Sequence, residues 1–109
     1  SIVAKMEGGF GAIATASGMG ALAMVTTALL KTGDEVLCIG GFFGGTYTLV
    51  NETLKRFGVS NSFCDVDDFT HIEGKLAAGV KMVLMESVGN PSLRLPDLKR
   101  IADLCDTYE

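Results

Sequence analysis

Three short segments, two of them apolar runs and one a weaker strand signal, alternate with longer segments of helical periodicity, and this alternation constrains the fold more than any other feature of the sequence. The apolar runs cover 35–39 and 81–86, and the weaker segment covers 59–64. Such runs are typical of buried strands. Strands that alternate with helices form parallel sheets through right-handed crossovers. The sequence therefore predicts an α/β fold with three layers, α/β/α, around a mostly parallel sheet.

Capping residues and the spacing of apolar residues predict the first two helices. One covers 18–31, with Ser17 as N-cap and Gly33 as stop, and its apolar composition predicts a buried helix. Apolar residues at three- and four-residue spacing predict a second helix over 46–57, which Gly58 ends. The buried stripe of this second helix is expected to be Tyr47, Leu49, Val50, Leu54 and Phe57.

The two later helices follow an acidic turn and a proline. Residues 65–68 form a turn that caps a helix over 68–78, and Pro96 starts the last helix, where its missing N–H costs nothing. The apolar face of the last helix is expected to be Leu98, Ile101, Ala102 and Cys105. The chain begins without methionine in what resembles a helix tail and stops in a running helical pattern. We therefore expect a fragment of a larger protein.

Composition excludes several kinds of partner. The net charge of −4 is dispersed and no basic cluster is present, which argues against nucleic acid. The apolar stretch 20–30 is too short for a membrane span, and no secretory signal is found, so a cytoplasmic setting is expected. No metal site is predicted, since Cys38, Cys64 and Cys105 are far apart and are read as small apolar fillers, and His71 as structural or solvent-facing.

Ligands of open parallel sheets bind beyond the carboxyl ends of the strands, which selects three loops. In the first, the amides of Gly18 and Met19 at a helix start could hold a phosphate; the alternative is an ordinary N-cap at Ser17. In the second, 40–46, the glycines beside two phenylalanines suggest a platform for a flat ligand, or equally a glycine turn with both rings in the core.

The third loop carries polar residues directly after a predicted buried strand. They are Glu86, Ser87 and Asn90, and Asn90 could hydrogen-bond a ligand oxygen. The alternative is that Asn90 and Pro91 simply form a turn.

Together the three loops resemble the Cys/Met metabolism family of pyridoxal-phosphate enzymes, which includes cystathionine γ-synthase, cystathionine lyases, methionine γ-lyase and O-acetylhomoserine sulfhydrylase. The family's Ser-Gly-Met is matched at 17–19, its Tyr-Gly-Gly-Thr-Tyr at 43–47 and its Glu-Ser-Pro-x-Asn-Pro at 86–91. The resemblance implies the fold type I PLP-dependent transferase-like architecture. It also implies that residues 1–109 are part of the large, PLP-binding domain.

The resemblance implies pyridoxal 5'-phosphate as cofactor. Ser17, Gly18 and Met19 would bind its phosphate, and Asn90 would contact its 3-oxygen side or the substrate carboxylate. Phe43 stands where the family usually has a tyrosine that stacks on the pyridine ring. A phenylalanine keeps the stacking face and loses the hydroxyl that assists proton transfer.

The resemblance also implies which catalytic groups are missing. Glu86 and Ser87 would support the site or contact substrate. The family's Schiff-base lysine, and the aspartate that pairs with the pyridine nitrogen, both follow the segment that matches 96–109. We therefore expect no catalytic residue and no turnover from these 109 residues alone.

The implied activity of the intact protein is that of a lyase or transferase of sulfur amino acids, acting by γ- or β-elimination or replacement on cystathionine, methionine or O-acylhomoserine. The family implies a homo-oligomer, a dimer of dimers. The alternatives are a non-catalytic phosphate- or nucleotide-binding module and an interaction fragment. The nucleotide fingerprint Gly-x-Gly-x-x-Gly fails, because Gly18 and Gly20 are followed by Val25 and Thr26.

Overall fold

The computed structural model describes residues 1–89 and 92–109. Three strands form one parallel sheet in the order β2-β1-β3. They are β1 (Glu35–Ile39), β2 (Ser60–Cys64) and β3 (Met82–Met85). Each lies within the segment that predicted it, so the strand predictions are confirmed.

Helices connect the strands and precede the first one. They are α1 (Ile2–Glu7), α2 (Gly18–Leu29), α3 (Gly44–Thr48), α4 (Leu54–Arg56), α5 (Phe69–Ala77) and α6 (Leu98–Thr107). A π-helical turn, Leu49–Thr53, joins α3 to α4, so one continuous helical run covers the second predicted helix. Among the described residues, no helix has both the length and the apolar character that a membrane crossing needs.

Different helices cover the two faces of the sheet. Val36 and Cys38 of β1 pack with residues of α2, the π-turn and α4, whereas Leu37 and Ile39 pack with α5 and α6. These four side chains are at most 1% exposed, so β1 is buried on both faces as predicted. The chain moves from β1 to β2 in one direction across the sheet and from β2 to β3 in the other. Crossovers of one hand therefore place their helices on opposite faces, which gives three layers, α/β/α.

The end of α2 differs from the prediction. The helix stops at Leu29, because Leu30 is extended with φ −106° and ψ 146°. Gly33, predicted as the stop, lies beyond this point in the turn before β1, with φ 96°. The left-handed glycine therefore shapes the turn and does not end the helix.

The start of α6 also differs from the prediction. The helix begins at Leu98, because the Asp97 carboxylate accepts a hydrogen bond from the Arg100 amide at 3.0 Å. Pro96 precedes this cap. An aspartate that satisfies a free amide is the stronger start signal of the two.

The prediction that α2 is buried is wrong for this chain. One side of α2 packs on the sheet, and Thr26 is its only buried residue, with a hydroxyl that donates to the Leu22 carbonyl at 2.8 Å. On the other side, Met24, Val25 and Leu29 are 36%, 48% and 70% exposed. The described residues do not cover that side.

Four other predicted core residues are exposed: Tyr47, Phe57, Leu98 and Ala102. Tyr47 and Leu98 are 37% and 44% exposed. Phe57 is 63% exposed and follows the last residue of α4, where its φ of −97° and ψ of 12° leave the helical conformation. Ala102 is exposed, and Leu104 packs in its place. Positions three and four after the fully buried Ile101 share its face of the helix, whereas the next residue does not.

The cysteines behave as apolar fillers. Cys38 is buried, Cys64 and Cys105 are half-buried, and all three are free thiols. Burial raises the pKa of the Cys38 thiol to about 12 and, with nearby Asp68, that of Cys64 to about 11. Thiols with such pKa values are poor nucleophiles at neutral pH.

Candidate functional site

The loops after β1 and β3 leave the sheet toward opposite faces. The two strands are neighbours, but β1 leads to α3 on one face and β3 leads to α6 on the other. In open parallel sheets such a divergence leaves a crevice at the carboxyl edge, where ligands bind. An open cleft of about 540 Å³ lies between these loops and the start of α2, lined by Ser17, Gly18, Met19, Leu22, Phe43, Thr46 and Glu86.

The cleft brings together five of the seven predicted site residues. Ser87 is exposed and is not among the lining residues. Asn90 lies outside the described residues. Leu22 and Thr46 were missed by the sequence analysis. Leu22 could have been found from its position four residues after Gly18 on the same helix side, whereas Thr46 lies in a motif already singled out.

The start of α2 presents free amides to the cleft. The Ser17 hydroxyl accepts a hydrogen bond from the Gly20 amide at 2.9 Å, so the predicted N-cap is confirmed. In the described part of the chain, the amides of Gly18 and Met19 donate to no other group. A Cβ added to Gly18 would meet no atom within 4 Å, so the space beside its backbone is open. Two free amides at the positive end of a helix suit an anion.

The two phenylalanines of the glycine-rich loop have different environments. Phe42 is 4% exposed and packs edge-on against Tyr47 and Phe63, with ring centroids 5.9 and 6.4 Å apart. Phe43 is 57% exposed and lines the cleft. Phe42 therefore lies in the core, as one interpretation of this loop expects, whereas Phe43 does not, and its role as a platform stays a prediction. Phe43 leaves a ring face available to a flat ligand.

Gly45 allows the helix start and the ring to approach each other. A Cβ at this position would lie 3.0 Å from the Met19 sulfur and 3.1 Å from Phe43 Cε1. A larger residue would therefore require one of these side chains to shift by a few tenths of an ångström. The glycine thus allows the wall of the cleft to pack closely.

Glu86 connects the two loops that frame the cleft. Its Oε1 accepts a hydrogen bond from the Phe43 amide at 3.2 Å. Phe43 is the N-cap residue of α3, where no side chain of the helix caps the free amides. A carboxylate at the end of β3 thus fixes the start of α3.

Among the residues that the structure describes, no lysine lines the cleft. Lys75 donates to Glu35 at 2.8 Å and Lys99 to Asp103 at 2.8 Å, both away from the site. His71 lies 3.8 Å from Asp68, measured from Nδ1 to Oδ2, on the surface. Within residues 1–89 and 92–109, no group of three or more His, Cys, Asp or Glu side chains is placed to hold a metal ion.

Comparison with known proteins gives a family match over the whole chain. The family described as Cys/Met metabolism PLP-dependent enzyme matches residues 1–109. Homocysteine synthase of Schizosaccharomyces pombe is 40% identical over 102 residues, which cover 94% of this chain and 24% of that protein. Cystathionine gamma-synthase of Escherichia coli is 39% identical over 102 residues, 94% of this chain and 26% of that protein. The chain thus spans about a quarter of the length of these relatives.

The solved structures agree in fold. A putative O-acetylhomoserine (thiol)-lyase of Campylobacter jejuni, determined with N'-pyridoxyl-lysine-5'-monophosphate, superposes with a TM-score of 0.90 at 33% identity. The alignment covers 97% of this chain and 26% of that one.

Proposed function

The chain belongs to the Cys/Met metabolism family of PLP-dependent enzymes, and from this premise we propose that residues 1–109 are part of the large, PLP-binding domain of such an enzyme. Pyridoxal phosphate is the cofactor of this family. The observation that carries the proposal is the convergence of the free amides of Gly18 and Met19 with the exposed ring of Phe43 in one cleft.

The residues of the cleft fit the cofactor in chemical type. The amides of Gly18 and Met19 would bind the phosphate, and the Ser17 hydroxyl, which keeps its own proton for donation, would add a third donor. The face of Phe43 would stack on the pyridine ring. When bound, the cofactor supplies an electron sink for negative charge at the substrate's α-carbon.

The remaining predicted residues have supporting roles in this proposal. Asn90 would contact the 3-oxygen side of the cofactor or the substrate carboxylate. Glu86 would hold the backbone of Phe43, and Ser87 would contact substrate from the exposed start of the same loop. Within residues 1–89 and 92–109, no Lys or Arg lines the cleft, so main-chain donors and groups from outside this chain would balance the phosphate charge.

For the intact protein we propose lyase or transferase activity on a small sulfur amino acid, in the cytoplasm, by a homo-oligomer that is a dimer of dimers. The names of the relatives support this range, since one is a homocysteine synthase and another a cystathionine gamma-synthase. We expect no turnover from residues 1–109 alone, because no lysine among the described residues lines the cleft.

The experiment compares two phenylalanines in the full-length protein stripped of cofactor. Phe43→Ala removes the ring that lines the cleft, and Phe57→Ala removes a ring that is similarly exposed, at 63% against 57%, but lies at the other end of the sheet. We expect Phe43→Ala to raise the Kd for pyridoxal phosphate about three- to tenfold, the value of one stacked ring. Phe57→Ala should leave the Kd unchanged.

The readout is the change in cofactor absorbance on titration, so it needs no turnover. Equal Kd values for the two variants would show that Phe43 does not contribute to the site. A wild-type protein that binds inorganic phosphate or nucleotides but not pyridoxal phosphate would instead favour the non-catalytic phosphate-binding module.

A further inference from the structure

The loop between β3 and α6 is tied to both neighbouring loops at the carboxyl edge of the sheet. At its start, Glu86 accepts the hydrogen bond from the Phe43 amide. Near its end, Arg94 donates to Asp65 through Nη1 and to Asp67 through Nη2, the latter at 2.6 Å. Both aspartates follow β2. Because β1 lies between β2 and β3, the Arg94 bridge, formed by Arg94 with Asp65 and Asp67, spans the end of the central strand.

Between these ties, Gly89 is hydrogen-bonded to Leu93 and Arg94. The Gly89 amide donates to the Arg94 carbonyl at 2.8 Å, and the Leu93 amide donates to the Gly89 carbonyl at 2.7 Å. A Cβ on Gly89 would lie 3.1 Å from the Arg94 carbonyl oxygen, so the two backbone segments are in direct contact. Leu93 has φ 56°, a left-handed conformation that is unfavourable for a residue with a side chain. Leu93 is therefore held in a conformation that its side chain does not favour.

We propose that Arg94 is a positioning residue of the cleft: by bridging Asp65 and Asp67 it fixes the loop whose other end carries Glu86. The proposal rests on the proposed function for the nature of the ligand, pyridoxal phosphate. The chemistry suits the residue, because a planar guanidinium can direct separate N–H groups to two carboxylates, whereas an ammonium acts as a single point charge. The hydrogen bond from Arg94 also lowers the pKa of the Asp65 carboxyl below its ordinary value.

The effect of the bridge is expected to be local. The side chains of Arg94, Asp65 and Asp67 are 43%, 59% and 78% exposed. Exposed ion pairs contribute little to global stability, since water and salt screen them. They can still hold a loop residue such as Leu93 in an unfavourable conformation. Loss of the bridge should therefore open the loop without unfolding the sheet.

The test uses Arg94→Met, which removes the charge and keeps an unbranched apolar chain of intermediate length, in the full-length protein. Hydrogen exchange is measured at the Gly89 and Leu93 amides, together with the Kd for pyridoxal phosphate and the urea unfolding midpoint. We expect exchange at both amides to quicken at least about tenfold and the Kd to rise about fivefold, with an unchanged midpoint. Arg94→Lys should fall between wild type and Arg94→Met.

Lys99→Met is the matched control, because it breaks an exposed ion pair within α6 that does not reach the loop. It should change none of the three readouts. If Arg94→Met fails to fold, Asp65→Asn and Asp67→Asn each remove half of the bridge and replace it in the test.

Wild-type exchange at Gly89 and Leu93 in Arg94→Met would overturn the proposal. So would faster exchange with an unchanged Kd, since the bridge would then shape the loop without affecting the cleft. Failure of the wild-type protein to bind pyridoxal phosphate would contradict the proposed function instead, and the exchange data would still decide whether Arg94 fixes the loop.

Discussion

Glu35 and Lys75 show how a partly buried pair links two elements far apart in the chain. Lys75 Nζ in α5 lies 2.8 Å from Glu35 Oε1 at the start of β1, and the side chains are 32% and 26% exposed. The hydrogen bond from Lys75 lowers the pKa of Glu35 below its ordinary value of 4.5, against the effect of burial, which raises it. The charged form of Glu35 is therefore favoured in the folded protein.

The pair predicts a pH-dependent change in stability. Lys75→Met should lower the free energy of unfolding by about 1 kcal/mol at pH 7. Because the folded-state pKa of Glu35 is lowered, the stabilisation is complete above pH 4.5 and disappears as the pH falls through the lowered pKa. Urea denaturation at pH 7 and at pH 3 measures this, and the difference between wild type and variant should be smaller at the lower pH. A difference of equal size at both pH values would mean that packing of the lysine stem, and not charge, is lost.

The π-turn between α3 and α4 is hydrogen-bonded to β2. The Leu54 amide donates to the Leu49 carbonyl five residues back. The carbonyl of Val50, a fully buried residue, accepts a hydrogen bond from the Asn61 side chain at 2.8 Å. The wide turn thus gives a strand side chain access to a helix carbonyl.

This contact predicts a cost for Asn61→Ala. The variant leaves the Val50 carbonyl without its side-chain partner, which should lower the free energy of unfolding by about 1–3 kcal/mol. Asn51→Ala is the control, because Asn51 is exposed on the same turn, and its effect should stay within about 0.5 kcal/mol. Denaturant unfolding compares the two, and equal effects would show that the hydrogen bond to Val50 contributes nothing.

Some of these features can be predicted from local sequence patterns, and others cannot. All three strands and the start of α2 follow from local patterns, since an apolar run or a capping serine acts within a few residues. The contact between the π-turn and Asn61 does not, because Asn61 lies in a later strand. The Arg94 bridge was missed for the same reason: its partners lie 27 and 29 residues away, and no local pattern pairs them.

The convergence of the three loops could be predicted from the sequence. Motifs in three loops converge because parallel strands end at one edge, so Ser17, Phe43 and Glu86 could be placed together from topology alone. Burial of α2 could not, because it depends on whether anything packs against its second side. Its apolar composition is typical of a helix that is covered on both sides, but the described residues cover only one side of α2.

The whole molecule carries an apolar surface on the outer side of α2. An open cleft of about 590 Å³ lies between α2 and the extended segment that precedes it, lined by Gly11, Ala12, Ile13, Ala21, Met24, Val25, Ala28 and Leu29. Phe10 and Ile13 nearby are fully or largely exposed. A contiguous apolar surface of this kind is uncommon on a soluble monomer.

The 109-residue chain on its own should therefore bind the dye ANS and self-associate as its concentration rises. Val25→Lys with Leu29→Lys should reduce both effects, because each places a charge on an exposed position of that surface. Dye fluorescence and sedimentation velocity are the measurements, with circular dichroism to confirm that the helices are retained. A monomeric wild-type chain without dye binding would contradict the expectation.

The amino and carboxyl ends of the parallel strands form two separate rims of the sheet, and the cleft lies at the carboxyl rim. The Gly33 amide donates to the Gly58 carbonyl and the Lys81 amide to the Glu35 carbonyl, so the turns at the amino rim are joined by backbone hydrogen bonds and none of them reaches the cleft. Substitutions at the amino rim can therefore change the stability of the fold without changing which ligand the cleft binds. Variation at the opposite rim can redirect chemistry with little cost to folding, so the two properties are free to evolve apart.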